Sequence, residues 1–275
     1  MKKLWKRKSE IDYTTMSNAQ REYVKTYLKK TKKIKRYRII ILLVFIALWE
    51  LSTYFKFIDP FIFSSPSRII DCFIEMSKDF SIFYHIGVTL FETFISFFLV
   101  IILSILMAIL LWWNEGVAKV LEPYLVVLNS LPKSALAPVF IVWLGNNPKT
   151  IIVAAISVAI FGSIINLYTD YKSTEEDKIK LIRTLGGDKK DILFKVIIPS
   201  NIPSTISIMK VNIGLTLVGV IIGEFLAAKA GLGYLIIYGS QVFKLDWVMM
   251  SIVILCIVAG VLYQVLSYFE KKYQN

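Results

Sequence analysis

Residues 171–203 read YKSTEEDKIKLIRTLGGDKKDILFKVIIPSNIP, a charged island between two long apolar stretches. Ser173, with Glu176 three residues on, carries the capping-box signature of a helix start. Ile179, Ile182 and Leu185, with Leu181 beside them, recur at helical spacing. Gly186 and Gly187 stop that helix, because glycine enters the left-handed conformation that closes a helix end. Asp188 caps a second short helix whose Ile192, Leu193, Val196 and Ile197 continue the stripe. Lys189 falls on its solvated side, and Pro199 ends it with Pro203 close behind. The result is a knuckle of two short amphipathic helices about a glycine turn, of a kind that fits a groove on another protein.

Around this knuckle the chain reads as a membrane protein. Hydrophobic residues make up 56% of the 275, and the mean hydropathy of +0.63 is too high for an ordinary soluble domain. Apolar runs of near-spanning length lie at about 37–55, 87–113, 120–144, 150–168, 204–228 and 248–268. The fold class expected is therefore all-α and polytopic, with six transmembrane helices. A net charge of +12 could suggest a nucleic-acid partner, but thirteen of the 32 Lys and Arg fall in residues 1–36. That crowding before the first span fits a cytoplasmic tail near anionic lipid headgroups and no nucleic acid. The basic stretch is too long for a signal peptide. The organisation expected is a basic cytoplasmic tail over 1–36 and a transmembrane domain over 37–275. Four intervening spans bring the 171–203 loop back to the cytoplasmic face, and six place both termini there.

Polar groups inside the spans are the candidates for function. Pro123, Pro132 and Pro138 interrupt the third run, and Asn129, Pro132, Lys133 and Ser134 gather where the helix must break or kink. That cluster is either a translocation path or a hydrogen-bonded structural kink. Gly219 and Gly223 form a GxxxG pair for close helix approach. Glu224 beside them must face protein or water, as a further path candidate, and Glu92 lies near the outer end of its span. Residues 229–246, with Gly231, Gly233 and Gly239, suit a re-entrant or outer gate segment. Arg68–Met76 suits a short amphipathic helix. Cys72 and Cys256 lack metal-ligand spacing, and His85, the single histidine, suits a helix end; no metal site is expected. An intramembrane enzyme would need catalytic groups converging at one depth, drawn from Glu92, Glu224, Lys133, Lys210 or His85. No HExxH, GxSxG or in-span aspartate pair supports one, and no catalytic residue is assigned. A scaffold or sensor using the basic tail would leave the spacing of the knuckle unexplained.

That spacing carries a resemblance. Lys180–Pro199 resembles the EAA loop of ABC importer permeases, the membrane subunits of binding-protein-dependent uptake systems. Gly186 takes the glycine position, nine residues follow, and Val196, Ile198 and Pro199 take the closing Ile-x-Leu-Pro. Lys180, Leu181 and Ile182 stand in place of Glu-Ala-Ala. Arg183-Thr184-Leu185-Gly186, Gly223-Glu224-Phe225-Leu226 and Gly231–Ile236 resemble the nitrate/sulfonate/taurine branch, and the likeness runs from about residue 64 onward. It implies the type I importer permease fold, with Lys180, Leu181, Ile182, Arg183, Leu185, Gly186, Val196, Ile198 and Pro199 as the loop that couples to an ABC ATPase. It further implies a second permease copy, an external solute-binding protein, ATP and Mg held by the ATPase rather than this chain, and a small anion as the solute.

Overall fold

The computed structural model describes residues 17–273, the last two by backbone alone. Residues 1–16 of the expected basic tail, and the C-terminus itself, lie outside the described residues. Those described are helical with no strand among them, and they fall into two compact units. One holds the chain to Pro60 with Ser65–Ser67, and the other holds Phe61–Ser64 and Arg68 onward.

The first unit is dominated by α1 (Asn18–Tyr54), opened by a reciprocal cap in which Ser17 accepts from the Gln20 amide and the Gln20 side chain accepts from the Ser17 amide. Its 37 residues span about 55 Å, well beyond a bilayer's apolar thickness. The basic half and the apolar half are one uninterrupted helix through residues 36 and 37.

Mostly in the second unit, α2 (Pro60–Phe63) is a single turn and α3 (Pro66–Lys78) is the expected amphipathic helix, though Pro60, Pro66 and Ser67 count with the first. Asp79 then starts α4 (Ser81–Trp113) by accepting from the Ser81 amide at 3.0 Å and its hydroxyl at 2.7 Å. Those bonds, the hydroxyl first, hold the Asp79 carboxyl below the usual carboxylate range. Asn114 caps α5 (Glu115–Ser130) through the Gly116 and Val117 amides, and α6 (Lys133–Leu144) follows. Pro132 is the N-cap of α6, and the two helices bend by 96° at that point. Pro123 and Pro138 instead lie within helices. Gly145 ends α6 at φ +81°, and Asn147 caps α7 (Pro148–Lys172) by accepting from the Lys149 amide at 2.9 Å.

Beyond the knuckle's α8 (Glu176–Thr184), the chain forms one continuous rod. This comprises α9 (Lys189–Ile192), a π turn over Leu193–Ile197, and α10 (Ile198–Ala227). Pro199 was expected to end the second knuckle helix, yet the rod runs through it. The π turn shifts the hydrogen-bond register just ahead of Pro199 and so accommodates its missing donor inside the rod. Next come α11 (Leu232–Gln241) and α12 (Leu245–Tyr273). Among the described residues five helices are long and apolar enough to cross a membrane, and the expected six are reached when the bent α5–α6 pair counts as one span.

The centre of this unit is the pairing of α7 with α10, and α7 also packs on α4. A Cβ on Gly219 would lie 2.6 Å from the Ala155 Cα, and one on Gly223 would lie 2.9 Å from the Ile151 Cα. The GxxxG pair therefore sets the α7–α10 spacing, around a core of Ile151, Ala155, Val220 and Ala227. Further along, the Ser163 hydroxyl donates to the Asn212 carbonyl oxygen at 2.8 Å. Lys210, one of the groups weighed for catalysis, is paired with Glu270 at 2.6 Å and ties α10 to α12.

Candidate functional site

At one end of the bundle, α8 and α9 form the knuckle. The expected Ser173 cap is not made: Ser173 closes α7 by donating its amide to the Thr169 carbonyl, and α8 starts after Glu175. Its far end is a Schellman closure. Gly186 lies at φ +82°, its amide donates to the Arg183 carbonyl at 3.0 Å, and the Gly187 amide donates to that of Ile182 at 2.9 Å. Asp188 caps α9 as expected, exchanging bonds with Asp191.

The apolar stripe divides in two. Ile179 and Ile182 turn inward, onto a core of Ala108, Leu167, Tyr171, Ile192, Leu193 and Ile197. Leu181 and Leu185 face outward, 60% and 75% exposed, and Phe194 on the rod is exposed as well. Nothing lies within 4 Å of a Cβ built on Gly186, whereas one on Gly187 would strike Ile182. Val196 is buried and Ile198 packs on the same core, so these two seat the knuckle from beneath. Lys180 is an exposed residue paired with Glu176 and Asp177, while Arg183 borders a 350 Å3 cleft between the knuckle and the end of α4. Pro199 is exposed at the root of α10.

Two anchors escaped the sequence reading. The Lys189 ammonium, expected on the solvated side, donates to the Trp113 carbonyl at 2.6 Å and lies over the Trp112 and Trp113 rings. A cation is favoured there because that carbonyl terminates α4 and has no helical partner. At the root, Asn201 donates to Thr174 and to the Ile197 carbonyl, and the Ser204 hydroxyl bonds the Asp170 carboxylate. Only their pairing across chain distance gives these polar residues a meaning.

The opposite end holds a cluster of polar groups. Thr89 donates its hydroxyl to Glu224 Oε1 at 2.6 Å and accepts from the Leu232 amide at 2.8 Å. Glu224 Oε2 accepts from the Gly233 amide at 2.5 Å, and His85 Nδ1 accepts from the Gly231 amide at 2.9 Å. Three side chains thus satisfy the first amides of α11, which have no carbonyl in their own helix. Gly231 lies at φ +117°, where an added Cβ would collide with the Glu224 carboxylate, and one on Gly233 would reach it at 2.7 Å. The Gly-Leu-Gly pattern is there so the backbone can close on a carboxylate.

Glu92, one turn along α4 from Thr89, is 2% exposed and borders a cavity of about 600 Å3 beside this clamp. Asn129, Pro132, Lys133 and Ser134 belong elsewhere, at the 96° bend. There the Lys133 ammonium bonds the Asn129 carbonyl, and the Asn129 side chain comes within 3.3 Å of a Cβ built on Gly162. Gly162 lies eleven residues along α7 from Ile151, about 16 Å from the level of the Glu224 clamp. Lys133 and Lys210 therefore do not join His85, Glu92 and Glu224 in one cluster.

Residues 100–272 match the family described as binding-protein-dependent transport system inner membrane component. The chain belongs to that family. Its relatives are named as permeases. The formylaminopyrimidine transport permease ThiX of Halalkalibacterium halodurans is 32% identical over 193 residues, 70% of this chain and 76% of the relative. The aliphatic sulfonates transport permease SsuC of Bacillus subtilis is 23% identical over 83% of each chain. The taurine transport permease TauC of Escherichia coli is 21% identical over 80% of this chain and 82% of its own. Among solved structures, a chain of the MetNI methionine ABC transporter, in an inward-facing form, superposes with a TM-score of 0.63. It covers 72% of this chain and 98% of its own at 16% identity, which establishes the type I importer permease fold. The protein is thus a transport subunit of the membrane, not an enzyme, and the expected family and fold class are borne out.

Proposed function

We propose that this permease forms the solute path of an ATP-driven importer and receives its stroke through the knuckle at Gly186. The observation that carries this is the division of the knuckle. Its underside is buried and pinned by Lys189, while Leu181, Leu185 and the open side of Gly186 form an apolar tip on a charged loop. Such a tip fits a groove on an ABC ATPase. ATP and Mg belong to that partner. Its closure on ATP moves a body that is rigid because both roots of the knuckle are pinned, and the helices follow.

The rest of the assembly follows from the membrane setting. Asn129, Pro132 and Ser134 are exposed in the single chain, and polar groups at a bend inside the bilayer belong against protein or water, not lipid. A second copy of the permease, with a path between the two, supplies that surrounding. An external binding protein delivers solute to the end that carries the Glu224 clamp. The basic half of α1 and the knuckle share the cytoplasmic face. Sulfonate and taurine relatives favour a small anion as solute, and the formylaminopyrimidine relative favours a nitrogen-bearing ring.

The test is reconstitution with the partner ATPase and binding protein. Copurification of the ATPase and ATP hydrolysis stimulated by loaded binding protein are expected. A permease that inserts in the membrane yet captures no ATPase refutes the assignment.

A further inference from the structure

The 350 Å3 cleft between the knuckle and the end of α4 carries an excess of positive charge. Four cations converge on it from four helices: Lys119 of α5, Lys172 of α7, Arg183 of α8 and Lys189 of α9. Glu115 and Glu122 of α5 line it too, yet none of the four cations forms an ion pair among the described residues. Lys189 gives one N–H to the Trp113 carbonyl, and Lys172 lies over the Tyr168 ring. A concave wall of unpaired cations concentrates the field within it and favours an anion there. The other walls pass from buried Leu111 and Ile192 to half-buried Trp112 and Tyr168. Apolar side chains, then Trp and Tyr, then Lys and Arg, are the composition of a membrane–water boundary. Beside the lining residues in sequence, Leu110 and Trp113 on α4 and Val120 on α5 are exposed apolar groups.

We propose that this cleft is a headgroup site for an anionic phospholipid of the phosphatidylglycerol kind, its phosphate held by Lys172, Arg183 and Lys189. The chemistry discriminates. Basic pockets between membrane helices bind anionic headgroups, and a guanidinium fork matches two phosphate oxygens. The glycerol hydroxyls of that headgroup can donate to Glu115 and Glu122. A choline headgroup has no donor for those carboxylates and no net charge to offset the cations. An ethanolamine headgroup has the donor but, again, no net charge. A free phosphate meets the cations yet leaves the apolar surface beside the cleft unused, where an acyl chain can lie. Bound there, the phosphate joins the knuckle, through Arg183 and Lys189, to α7 through Lys172, and so braces it against the bundle. That bracing rests on the coupling reading above, whereas the binding itself needs only the membrane.

The test titrates the full chain, purified in detergent, with dioleoyl phosphatidylglycerol and counts bound lipid by native mass spectrometry. The first phosphatidylglycerol is expected to bind at least about tenfold more tightly than dioleoyl phosphatidylcholine or phosphatidylethanolamine. The paired variant Lys172→Gln/Arg183→Gln, at exposed side chains, should weaken it by about tenfold to 30-fold, since each cation near a headgroup contributes about fivefold. Lys178→Gln/Lys195→Gln removes as much charge from residues of the same loop that do not line the cleft, and should change the affinity less than about twofold. Equal binding of all three lipids, or equal weakening in both paired variants, overturns the proposal. Displacement of the lipid by millimolar inorganic phosphate assigns the cleft to a free anion and overturns it as well. Parental lipid binding in Lys172→Gln/Arg183→Gln with loss of ATPase capture assigns these cations to the ATPase, which overturns the lipid site and leaves the coupling reading standing. A parent chain that binds phosphatidylglycerol as expected yet captures no ATPase refutes the coupling reading alone.

Discussion

Thr89→Val removes one hydroxyl and keeps the shape of the side chain. In the structure that hydroxyl makes two bonds, donating to Glu224 at 2.6 Å and accepting from the Leu232 amide at 2.8 Å, at a residue with no exposure. Losing a bond to a charged group costs about 1.5–3 kcal/mol, and leaving a buried amide unpaired about 1–3. Hydrogen bonds between membrane helices average only about 0.6 kcal/mol, because an unfolded chain in the bilayer finds other partners. The larger figures prevail here, since Leu232 opens α11 and its amide has no carbonyl in its own helix to fall back on. A loss of about 2.5–6 kcal/mol follows, raising the population with α11 detached by about 70-fold to 25,000-fold. Two readouts apply: the unfolding free energy of purified permease in an SDS titration, and thiol labelling of a cysteine at Gly239, which is buried while α11 is docked. Thr89→Ser keeps both bonds and should stay within about 1 kcal/mol of the parent. A valine variant as stable as the parent, with its Gly239 cysteine equally protected, would show that the clamp does not hold α11.

Three further outcomes follow from the packing. Gly219→Leu must push α7 and α10 apart by about 1 Å, so it should lose at least about 1–3 kcal/mol and much of its folded yield, whereas Gly214→Leu, with nothing within 4 Å of its Cβ, should fold normally. Lys189→Ala frees the knuckle from Trp113 and should cut stimulated ATP hydrolysis several-fold. The exposed setting limits the energy to about 1–2 kcal/mol, and Lys189→Arg should keep most of the activity. Single cysteines at Lys30 and Lys190, in a background lacking Cys72 and Cys256, should both resist a membrane-impermeant thiol reagent in intact cells, and labelling of either from outside would reverse the orientation.

The spans were legible because a bilayer demands long apolar helices and leaves few alternatives. The Gly186 turn was legible because one backbone conformation accounts for the glycine. Pro199 misled because a proline states only that a donor is missing, and the π turn that absorbs the loss has no signature in single residues. The outward face of the knuckle was blurred for a related reason: Leu181 and Leu185 share helical periodicity with Ile179 and Ile182, yet a nine-residue helix can be covered on one side only. Lys189, Thr89 and Asn201 act through partners far away in the chain, such as Trp113, Glu224 and Thr174. Glu224 was read as a polar group facing inward, which it does, but its use as a clamp needed the loop at Gly231 to be in place.

Coupling through the knuckle rests on Gly186, and Gly186→Asp tests it most directly. The substitution strains a residue at φ +82° by about 1–2 kcal/mol and extends a charged side chain into the open space at the tip. Membrane insertion should survive, because the spans are untouched. The measurement is ATPase copurification together with binding-protein-stimulated hydrolysis in reconstituted membranes. Both should fall to near background in the variant, while a fully assembled and fully stimulated Gly186→Asp complex would show that the stroke does not pass through this loop.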